Sequence, residues 1–415
     1  MKDRQFDLVL WGATGFTGRL VAEHLARRTK PGRSPRWALG GRNREKLEAL
    51  RASLDQGDLP LVVADAHDTR AMRRLAASTR VVCAVAGPFA LHGSELVAAC
   101  ARSGTHYCDL TGEVQWIRRM IDAHEAAARE SGARIVHACG FDSIPSDIGC
   151  LVLQDAAEAQ YGRPCPVVKM GIRRVSGAFS GGTVASLINV LKEASGDDTV
   201  RKVLADPYSL NPPDERSGPD RPDQRAPEFD SDLDSWTAPF IMAPINTRIV
   251  RRSNAVTDWA WGRQFRYRES ITTGDGLLGW TRSAAISAVM TGLVGGASVA
   301  PARALLERLF LPSPGEGPDE KAREAGGFSL RFIGRHPEAA GGHLAARVEG
   351  RRDPGYGATS RMIGEAALCL LEDADDPAVG GGFWTPASAL GARLLPRLEK
   401  HADVRFVVED DLSQG

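Results

Sequence analysis

The chain has 415 residues, more than one hydrophobic core usually holds, so two domains or three are expected. Apolar residues make up 43 % of it and charged residues 25 %, the composition of an ordinary soluble globular protein. The formal net charge is zero, so no overall field favours nucleic acid or an anionic membrane as a partner.

The seven cysteines are scattered, odd in number and contain no Cys-x-x-Cys pair. This pattern argues against a disulfide framework and against a structural zinc site, and no metal-binding residues are predicted. The N-terminus runs from Lys2 almost directly into an apolar stretch, which leaves no room for a signal peptide. We therefore expect a reducing, cytoplasmic location.

The most informative stretch lies near the N-terminus. Residues 6–11 form an apolar run that predicts a strand buried on both faces, and apolar residues recur at helical spacing after residue 19. Three glycines between them allow a tight turn, close approach of a pyrophosphate and close packing of the helix on the strand. An ordinary strand–helix turn is the alternative, but the flanking pattern favours a dinucleotide site. Its predicted contacts are Gly12, Ala13, Thr14, Gly15, Phe16, Thr17 and Gly18.

The end of the second predicted strand, residues 37–41, indicates which dinucleotide binds. An NAD enzyme places an acidic residue there against the ribose 2′-hydroxyl, whereas this chain has Gly41 followed by Arg42. A guanidinium matches the oxygen atoms of a 2′-phosphate. A solvated basic helix start is the alternative. Gly41 and Arg42 thus predict NADP(H) rather than NAD(H).

Four further strands are predicted, each followed by a helical stretch or a polar loop. They lie at residues 61–65, at 81–86, within 106–113 (a strand and its loop) and at 134–139. Alternating strands and helices predict a parallel sheet, in which ligands bind beyond the carboxyl ends of the strands. At that edge Asp65 is expected near the adenine. The residues expected beside the nicotinamide are Ala86, Gly87, Pro88 and Phe89.

After about residue 150 the strict alternation is lost. Strands are predicted at residues 167–176, 265–272, 338–351 and 404–408, and helices at residues 183–194, 360–372 and 392–401. Residues 211–234 carry five prolines and many charges, which predicts a long mobile loop.

Several segments together resemble the saccharopine-dehydrogenase-like oxidoreductases, and in particular their trans-acting enoyl reductase branch. They include Tyr107-x-Asp109-Leu-Thr-Gly-Glu113 and Gly140-Phe-Asp-Ser-Ile-Pro-Ser-Asp147, which follow two predicted strands as polar loops. The other resembling segments span nearly the whole chain, at residues 6–18, 38–42, 86–89, 243–254 and 381–387.

The resemblance implies an α/β protein of three parts. These are an N-terminal Rossmann domain with a parallel doubly wound sheet (1–150), a second α/β domain with a mixed sheet (151–355) and a C-terminal segment (356–415) that packs back on the first. It also implies NADPH-dependent reduction of a carbon–carbon double bond in an acyl chain that grows on a polyketide synthase, the expected partner.

Enoyl reduction needs hydride delivery, polarisation of the thioester carbonyl and a proton for the α-carbon. The catalytic candidates are Tyr107, Asp109 and Asp142. However, a tyrosine at a strand start is often core, and an aspartate after a strand is often a cap or a loop anchor. The cofactor contacts predicted on the same loops are Thr111, Gly112, Glu113, Gly140 and Phe141. No tyrosine is followed four residues later by lysine, which excludes the mechanism of short-chain dehydrogenases.

Residues 283–302 contain no charged side chain, but their serine, threonine and glycine content argues against a membrane-spanning helix. A buried or flexible apolar segment is one interpretation, and a surface that contacts a lipid chain or a membrane interface is the other. Nearby, Arg248, Arg251 and Arg252 could bind a carrier phosphate or belong to a solvated face.

Two other functions stay open. A saccharopine-type reductase of an amino-acid imine would need a pocket dense in arginine and lysine, which the neutral stretch at 283–302 disfavours. A Rossmann protein that senses NADP without turnover would not need a large second domain. A homodimer through the second domain is a further expectation.

Overall fold

A computed structural model describes residues 4–29, 35–177, 181–297, 317–339, 342–372 and 379–409. The first part of the chain forms a seven-stranded sheet. Its strands are β1 (Phe6–Trp11), β2 (Trp37–Gly41), β3 (Leu61–Val63), β4 (Thr79–Ala84), β5 (His106–Asp109), β6 (Arg134–Val136) and β13 (Gly382–Trp384).

These strands lie in the order β13-β6-β5-β4-β1-β2-β3, and each neighbouring pair is parallel. The predicted parallel, doubly wound sheet is therefore confirmed. The chain builds the sheet outward in one direction from β1 to β3 and in the other from β4 to β6, so the strand order reverses between β1 and β4. A crevice opens beyond the carboxyl ends of the strands at such a point.

Six helices belong to this part of the chain: α1 (Phe16–Arg28), α2 (Arg44–Ser53), α3 (Thr69–Ser78), α4 (Phe89–His92), α5 (Ser94–Ser103) and α6 (Val114–Ser131). All six residues of β1 are buried, as expected for a central strand that helices cover on both faces.

The second sheet also has seven strands, of which β7 (Val167–Ser176) and β10 (Arg266–Gly274) pair in parallel and the other neighbours are antiparallel. The predicted mixed sheet is confirmed. Its remaining strands are β8 (Glu228–Asp230), β9 (Ser235–Ala238), β11 (Gly327–Arg335), β12 (His343–Gly350) and β14 (Val404–Glu409). Their order is β14-β12-β11-β7-β10-β9-β8.

The later helices are α7 (Ile144–Tyr161), α8 (Gly181–Gly196), α9 (Asp198–Ala205), α10 (Ala243–Val256), α11 (Gly276–Ala297), α12 (Glu320–Ala325), α13 (Thr359–Glu372), α14 (Pro386–Ala389) and α15 (Gly391–His401). Helix α13 packs against α1 and β4, and β13 extends the first sheet. Strand β14, however, pairs with β12 in the second sheet, so the C-terminal residues join both sheets. The bounds of the three predicted parts stay a prediction.

Two expectations about loops hold only in part. Residues 140–147 are not all loop, because α7 begins at Ile144 and includes Asp147. Residues 211–234 contain a 3₁₀ turn and β8. The carboxylates of Asp220 and Asp223 from this stretch accept hydrogen bonds from two buried arginines of α10, which tie it to the second sheet.

Those buried arginines correct a further expectation. Arg248 Nη1 lies 2.8 Å from an Asp223 carboxylate oxygen, and Arg251 Nε lies 2.6 Å from an Asp220 oxygen. Arg252 donates to the carbonyl oxygen of Phe383 at 2.6 Å. All three side chains are only 2–3 % exposed, so they are neither a solvated face nor a free phosphate site.

Candidate functional site

The turn between β1 and α1 packs tightly against the loop after β4. Gly12 has a φ of +88°, and a Cβ there would lie 2.8 Å from the Cβ of Ala86. A Cβ on Gly18 would lie 2.2 Å from the carbonyl oxygen of Gly12. A side chain at either position would displace backbone, so the turn depends on glycine at both. At Gly15 the nearest atom to a Cβ would be 3.5 Å away, which leaves ordinary room.

Helix α1 begins at Phe16, and no side chain among the described residues caps it. Its first turn has no acidic residue. The N–H groups at this helix start and the positive end of its dipole therefore lie open to a pyrophosphate. Around the turn, Ala13 and Gly18 are buried, and the partly or fully accessible residues are Gly12, Thr14, Gly15, Phe16 and Thr17.

The later part of the chain closes over this turn. The ring of Phe16 packs edge-on against Tyr356, with 4.7 Å between the ring centroids, and the Arg323 guanidinium lies 5.7 Å from the Phe16 centroid. Tyr356 Oη accepts a hydrogen bond of 2.8 Å from the N–H of Gly181, at the start of α8. Helix α8 thus begins directly above the glycine turn.

The end of β2 lies beside the same turn. A Cβ on Gly41 would lie 3.8 Å from Thr14 Oγ1. Arg42 follows and is exposed, and the described residues give its guanidinium no hydrogen-bond or ion-pair partner. Its charge is therefore available to an anion at this edge of the sheet.

Two histidines that the sequence did not single out lie near Arg42. His67 Nε2 and His92 Nδ1 are 3.2 Å apart. The backbone N–H of His67 donates to the Asp65 carboxylate at 2.8 Å. Burial lowers the pKa of His92, as do the charges of His67 and Arg42, whereas Asp65 raises it. His67 lies in a turn and His92 ends α4, and neither belongs to a motif, so only the fold could bring them together.

Glu113 fixes the loop after β4. Its buried carboxylate accepts hydrogen bonds from the N–H groups of Phe89 at 2.7 Å and Ala90 at 3.0 Å, and from Ser186 Oγ at 2.8 Å. Burial raises its pKa, against the effect of these hydrogen bonds. Since its oxygens already have protein donors, the geometry favours a positioning role for Glu113, with α8 held across the loop.

Phe89 itself points into the core, where its ring centroid lies 5.7 Å from that of Trp116. The part of this loop that reaches the crevice is therefore Ala86, Gly87 and Pro88, of which Gly87 is exposed. On the neighbouring loop, Gly112 is half-buried, and buried Thr111 accepts the N–H of Glu113 through Oγ1 at 3.1 Å.

Asp109 anchors the loops after β5 and β6. One carboxylate oxygen accepts from the N–H groups of Thr111 at 3.1 Å and Ala138 at 3.2 Å, and the other lies 2.7 Å from His137 Nδ1. Ala138 has a φ of +60°, an uncommon conformation for alanine that these bonds hold in place. With Asp109 fully buried, the geometry favours the loop anchor over the catalytic role.

Tyr107 lies within β5 and is completely buried. Its hydroxyl has no hydrogen-bond partner among the described residues, and its ring packs edge-on against His137. Burial raises the pKa of Tyr107 well above its usual value, which disfavours proton release. The core interpretation therefore fits better than a catalytic one.

Asp142 has the opposite surroundings. It is half-buried on the loop between β6 and α7, and the described residues offer its carboxyl group no hydrogen-bond partner. A Cβ on Gly112 would lie 3.9 Å from its carboxyl oxygen, next to the side chains of Met242 and Ile245. Burial raises the pKa of Asp142 to about 7. A large share of the group is therefore protonated near neutral pH, beside an apolar wall.

The loop that carries Asp142 is fixed on both sides. The N–H of Phe141 donates to Thr359 Oγ1 at 2.9 Å, and the ring of Phe141 packs against Phe328 of β11. A Cβ on Gly140 would lie 2.8 Å from a Leu110 methyl group. These contacts hold the predicted cofactor residues Gly140 and Phe141 against the second sheet and α13.

A buried polar network continues from this loop. Ser143 Oγ donates to Asn246 Oδ1 at 2.9 Å, and Asn246 Nδ2 donates to a Glu269 oxygen at 2.9 Å. The Tyr267 hydroxyl donates to the other Glu269 oxygen at 2.9 Å, and burial raises the pKa of Glu269 to about 7. The network ties the Asp142 loop to α10 and β10. No local sequence pattern indicates this network.

Helix α11 contains residues 283–297 of the uncharged stretch, and residues 298–302 lie outside the described part of the chain. Its buried positions are Gly279, Ser283 and Ser287, whereas Leu277 is 77 % exposed and Trp280 is 44 % exposed. Within the stretch itself Val289 is 57 % exposed, so its described residues do not form a buried segment, and the alternatives of a flexible segment and a surface contact stay predictions. No helix among the described residues is long and apolar enough to cross a bilayer.

No group of three or more metal-ligating side chains occurs within the described residues. The parallel sheet with its glycine turn, together with a second, mixed sheet, is typical of a dinucleotide-dependent oxidoreductase of two-sheet architecture. Comparison with known proteins narrows this class. The family model of the saccharopine dehydrogenase NADP binding domain matches residues 8–136.

Over 95 % of its length the chain is 42 % identical to a Mycobacterium tuberculosis protein proposed to be a trans-acting enoyl reductase, 96 % of which is matched. It is 39 % identical to the trans-acting enoyl reductases of Mycobacterium bovis and Mycobacterium ulcerans, at the same coverage. The chain belongs to this family of NADP-binding, saccharopine-dehydrogenase-like oxidoreductases.

Saccharopine dehydrogenase (L-Glu forming) from Saccharomyces cerevisiae shares the fold, with a TM-score of 0.50 and 12 % sequence identity. The match covers 97 % of this chain and 100 % of that one.

Proposed function

We propose that the protein is an NADPH-dependent enoyl reductase that acts on an acyl chain carried by a polyketide synthase. The observation that carries the proposal is the character of the crevice beside Asp142. Its wall contains Met242 and Ile245, which suit an acyl chain. A saccharopine-type imine substrate would need free cations, yet Arg248 and Arg251 of the neighbouring helix are already paired with buried carboxylates.

The glycine turn fits a dinucleotide, because Gly15 is exposed with ordinary room beside it and the start of α1 is uncapped by the described residues. In this proposal residues 12–18 hold the pyrophosphate, Arg42 binds the 2′-phosphate, and residues 86–88 border the nicotinamide. Bound NADPH supplies a hydride for the β-carbon of the substrate.

Asp142 supplies the proton in this proposal. Its raised pKa keeps a carboxylic acid available near neutral pH, and its half-exposed position allows the carboxylate to regain a proton from solvent. Asp109, Glu113 and the Ser143–Asn246–Glu269 network keep the surrounding loops in place.

The test is oxidation of NADPH with a trans-2-enoyl thioester as substrate, followed by identification of the saturated product. Turnover of the enoyl thioester without turnover of an oxo acid and an amino acid supports the proposal. Turnover of only the amino-acid pair supports the saccharopine-type alternative. Tight NADPH binding without any turnover supports the sensor alternative.

We also propose that a peripheral membrane contact involves the exposed face of α11 rather than the whole of residues 283–302. Leu277, Leu278 and Trp280 project from its first turns, and Arg282 is the helix's single charged residue. Cosedimentation with anionic lipid vesicles tests this, and the double variant Leu277→Gln, Trp280→Gln should lose at least half of the bound fraction. Equal binding of the variant would contradict the contact.

A further inference from the structure

An open groove of about 550 Å³ lies between α8 and the helices α4 to α6 of the first sheet. Nothing in the proposed chemistry of the crevice uses it. Its lining includes Leu91, Ser94, Arg119, Met120, Asn189 and Lys192.

The groove continues directly from the crevice. Ser186 of α8 bonds to Glu113, and Glu113 bonds to the N–H of Ala90, which itself lines the groove. Asn189 follows Ser186 by three residues, so it lies one helical turn farther along the same face of α8. A chain that leaves the crevice past the loop after β4 would therefore enter this groove.

The lining has both apolar and polar parts. Leu91, next to Ala90, is 52 % exposed, and Met120 adds apolar surface. Asn189 adds an amide, although its nitrogen already donates to Glu193 at 2.8 Å. Farther along α8, Lys192 is exposed, and the described residues provide no ion-pair partner for its ammonium group.

Arg119 adds a second cation on the opposite wall. It pairs at 3.0 Å with Glu193, a carboxylate that also lines the groove, and its side chain is 49 % exposed. The lining thus combines apolar side chains, amide and hydroxyl groups, and cations. This combination matches a ligand that is apolar and amide-rich and ends in a phosphate.

We propose that this groove binds the phosphopantetheine arm of an acyl carrier protein, with Lys192 and Arg119 at its phosphodiester. The inference rests on the proposed function and deepens it, because it states how a substrate that stays attached to another protein reaches the crevice. An open groove suits this substrate, since the carrier remains outside while the arm lies along α8.

The experiment compares three trans-2-enoyl thioesters of the same acyl chain: one on a phosphopantetheinylated carrier protein, one on coenzyme A and one on N-acetylcysteamine, which lacks the phosphate. The variants are Leu91→Trp, which fills the groove, and Lys192→Glu, which reverses its charge. Lys202→Glu, an exposed lysine on α9 outside the groove, is the matched control.

We expect kcat/KM for the carrier substrate to fall about tenfold or more in Leu91→Trp and Lys192→Glu, which corresponds to roughly 1.4 kcal/mol of binding free energy. Turnover of the N-acetylcysteamine substrate should stay unchanged, and Lys202→Glu should behave as the unchanged protein. If kcat/KM for the coenzyme A thioester falls as it does for the carrier thioester, the groove binds the arm itself, as proposed.

Two results would overturn the inference: carrier turnover that neither variant changes, or equal losses on all three thioesters. Binding of a carrier loaded with an unreactive amide analogue, measured by calorimetry with NADPH present, separates this inference from the proposed function. If the carrier binds, Leu91→Trp abolishes that binding and no enoyl thioester is turned over, the enoyl reductase activity is contradicted. The proposal that the groove binds the arm is then still supported.

Discussion

Gly12 approaches Ala86 so closely that a Cβ on Gly12 would lie 2.8 Å from the Ala86 Cβ. This contact joins the glycine turn to the loop after β4 and sets the width of the crevice at the point where the strand order reverses. A neighbouring glycine, Gly15, has room for a methyl group and a φ of −70° that alanine adopts easily.

The two kinds of glycine should therefore respond differently to alanine. We expect Gly15→Ala to change the free energy of unfolding by less than about 0.5 kcal/mol while weakening NADPH binding about tenfold or more, because its methyl group occupies the space of the pyrophosphate. Gly18→Ala should unfold at clearly lower denaturant concentration, since its Cβ would meet the Gly12 carbonyl oxygen. Urea titration and NADPH calorimetry measure both effects. A Gly15→Ala protein that binds NADPH normally would contradict the assignment.

Arg42 is expected to determine the preference for NADPH. Arg42→Ala should raise the Kd of NADPH about tenfold or more and leave the Kd of NADH within about twofold, because NADH has no 2′-phosphate. Arg44→Ala is the control, since Arg44 lies two residues later, is 66 % exposed and faces Glu48. A loss of NADPH binding in the control but not in Arg42→Ala would refute the assignment.

Asp142 should give the reaction an alkaline limit. Because burial raises its pKa to about 7, the protonated form dominates below that pH and is lost above it, so kcat/KM should fall as the pH rises through about 7. Asp142→Asn should lower kcat by about 10²- to 10⁴-fold and remove this limb of the profile. An Asn variant that keeps both the rate and the pH profile would show that the proton comes from elsewhere.

A buried ion-pair cluster fastens α13 to α1. Glu365 accepts from His24 Nε2 at 2.8 Å and from Arg28 Nε at 2.6 Å. Burial alone would raise the pKa of Glu365, but these two hydrogen bonds outweigh it and lower the pKa. Burial also lowers the pKa of His24.

Both groups bind protons more weakly in the folded chain than in the unfolded one. Stability should therefore fall as the pH drops from about 6.5 toward about 4. Glu365→Gln should cost on the order of 3 kcal/mol at neutral pH, because it leaves buried donors without their charge partner. Glu23→Gln removes an exposed ion pair on α1, the helix that carries His24 and Arg28. It should cost no more than about 0.5 kcal/mol. Urea denaturation at several pH values measures both, and equal costs would contradict the account.

Local pattern predicted the first sheet well, because apolar runs and glycine turns act over a few residues. Strand β2 occurs at the predicted bounds, whereas β3 ends at Val63, two residues early. Strand β11 was missed, and β13 was not expected to join the first sheet. Both depend on pairing between distant segments.

The candidate site shows the same division. The glycine turn and Arg42 are local features, and the sequence pointed to them. The role of Glu113 depends on Ser186, 73 residues away, and the burial of Arg248 depends on Asp223, 25 residues away. Sequence reasoning also weighed Tyr107, Asp109 and Asp142 equally. Only the fold shows that Tyr107 and Asp109 are buried, whereas Asp142 has room beside it for a substrate.

The most direct test of the central claim is NADPH oxidation with a trans-2-enoyl thioester on a carrier protein, measured in the unchanged protein and in Asp142→Asn. We expect NADPH-dependent formation of the saturated thioester and a kcat in the variant that is lower by about 10²-fold or more. Turnover of an amino acid and an oxo acid instead, with no reduction of any enoyl thioester, would contradict it.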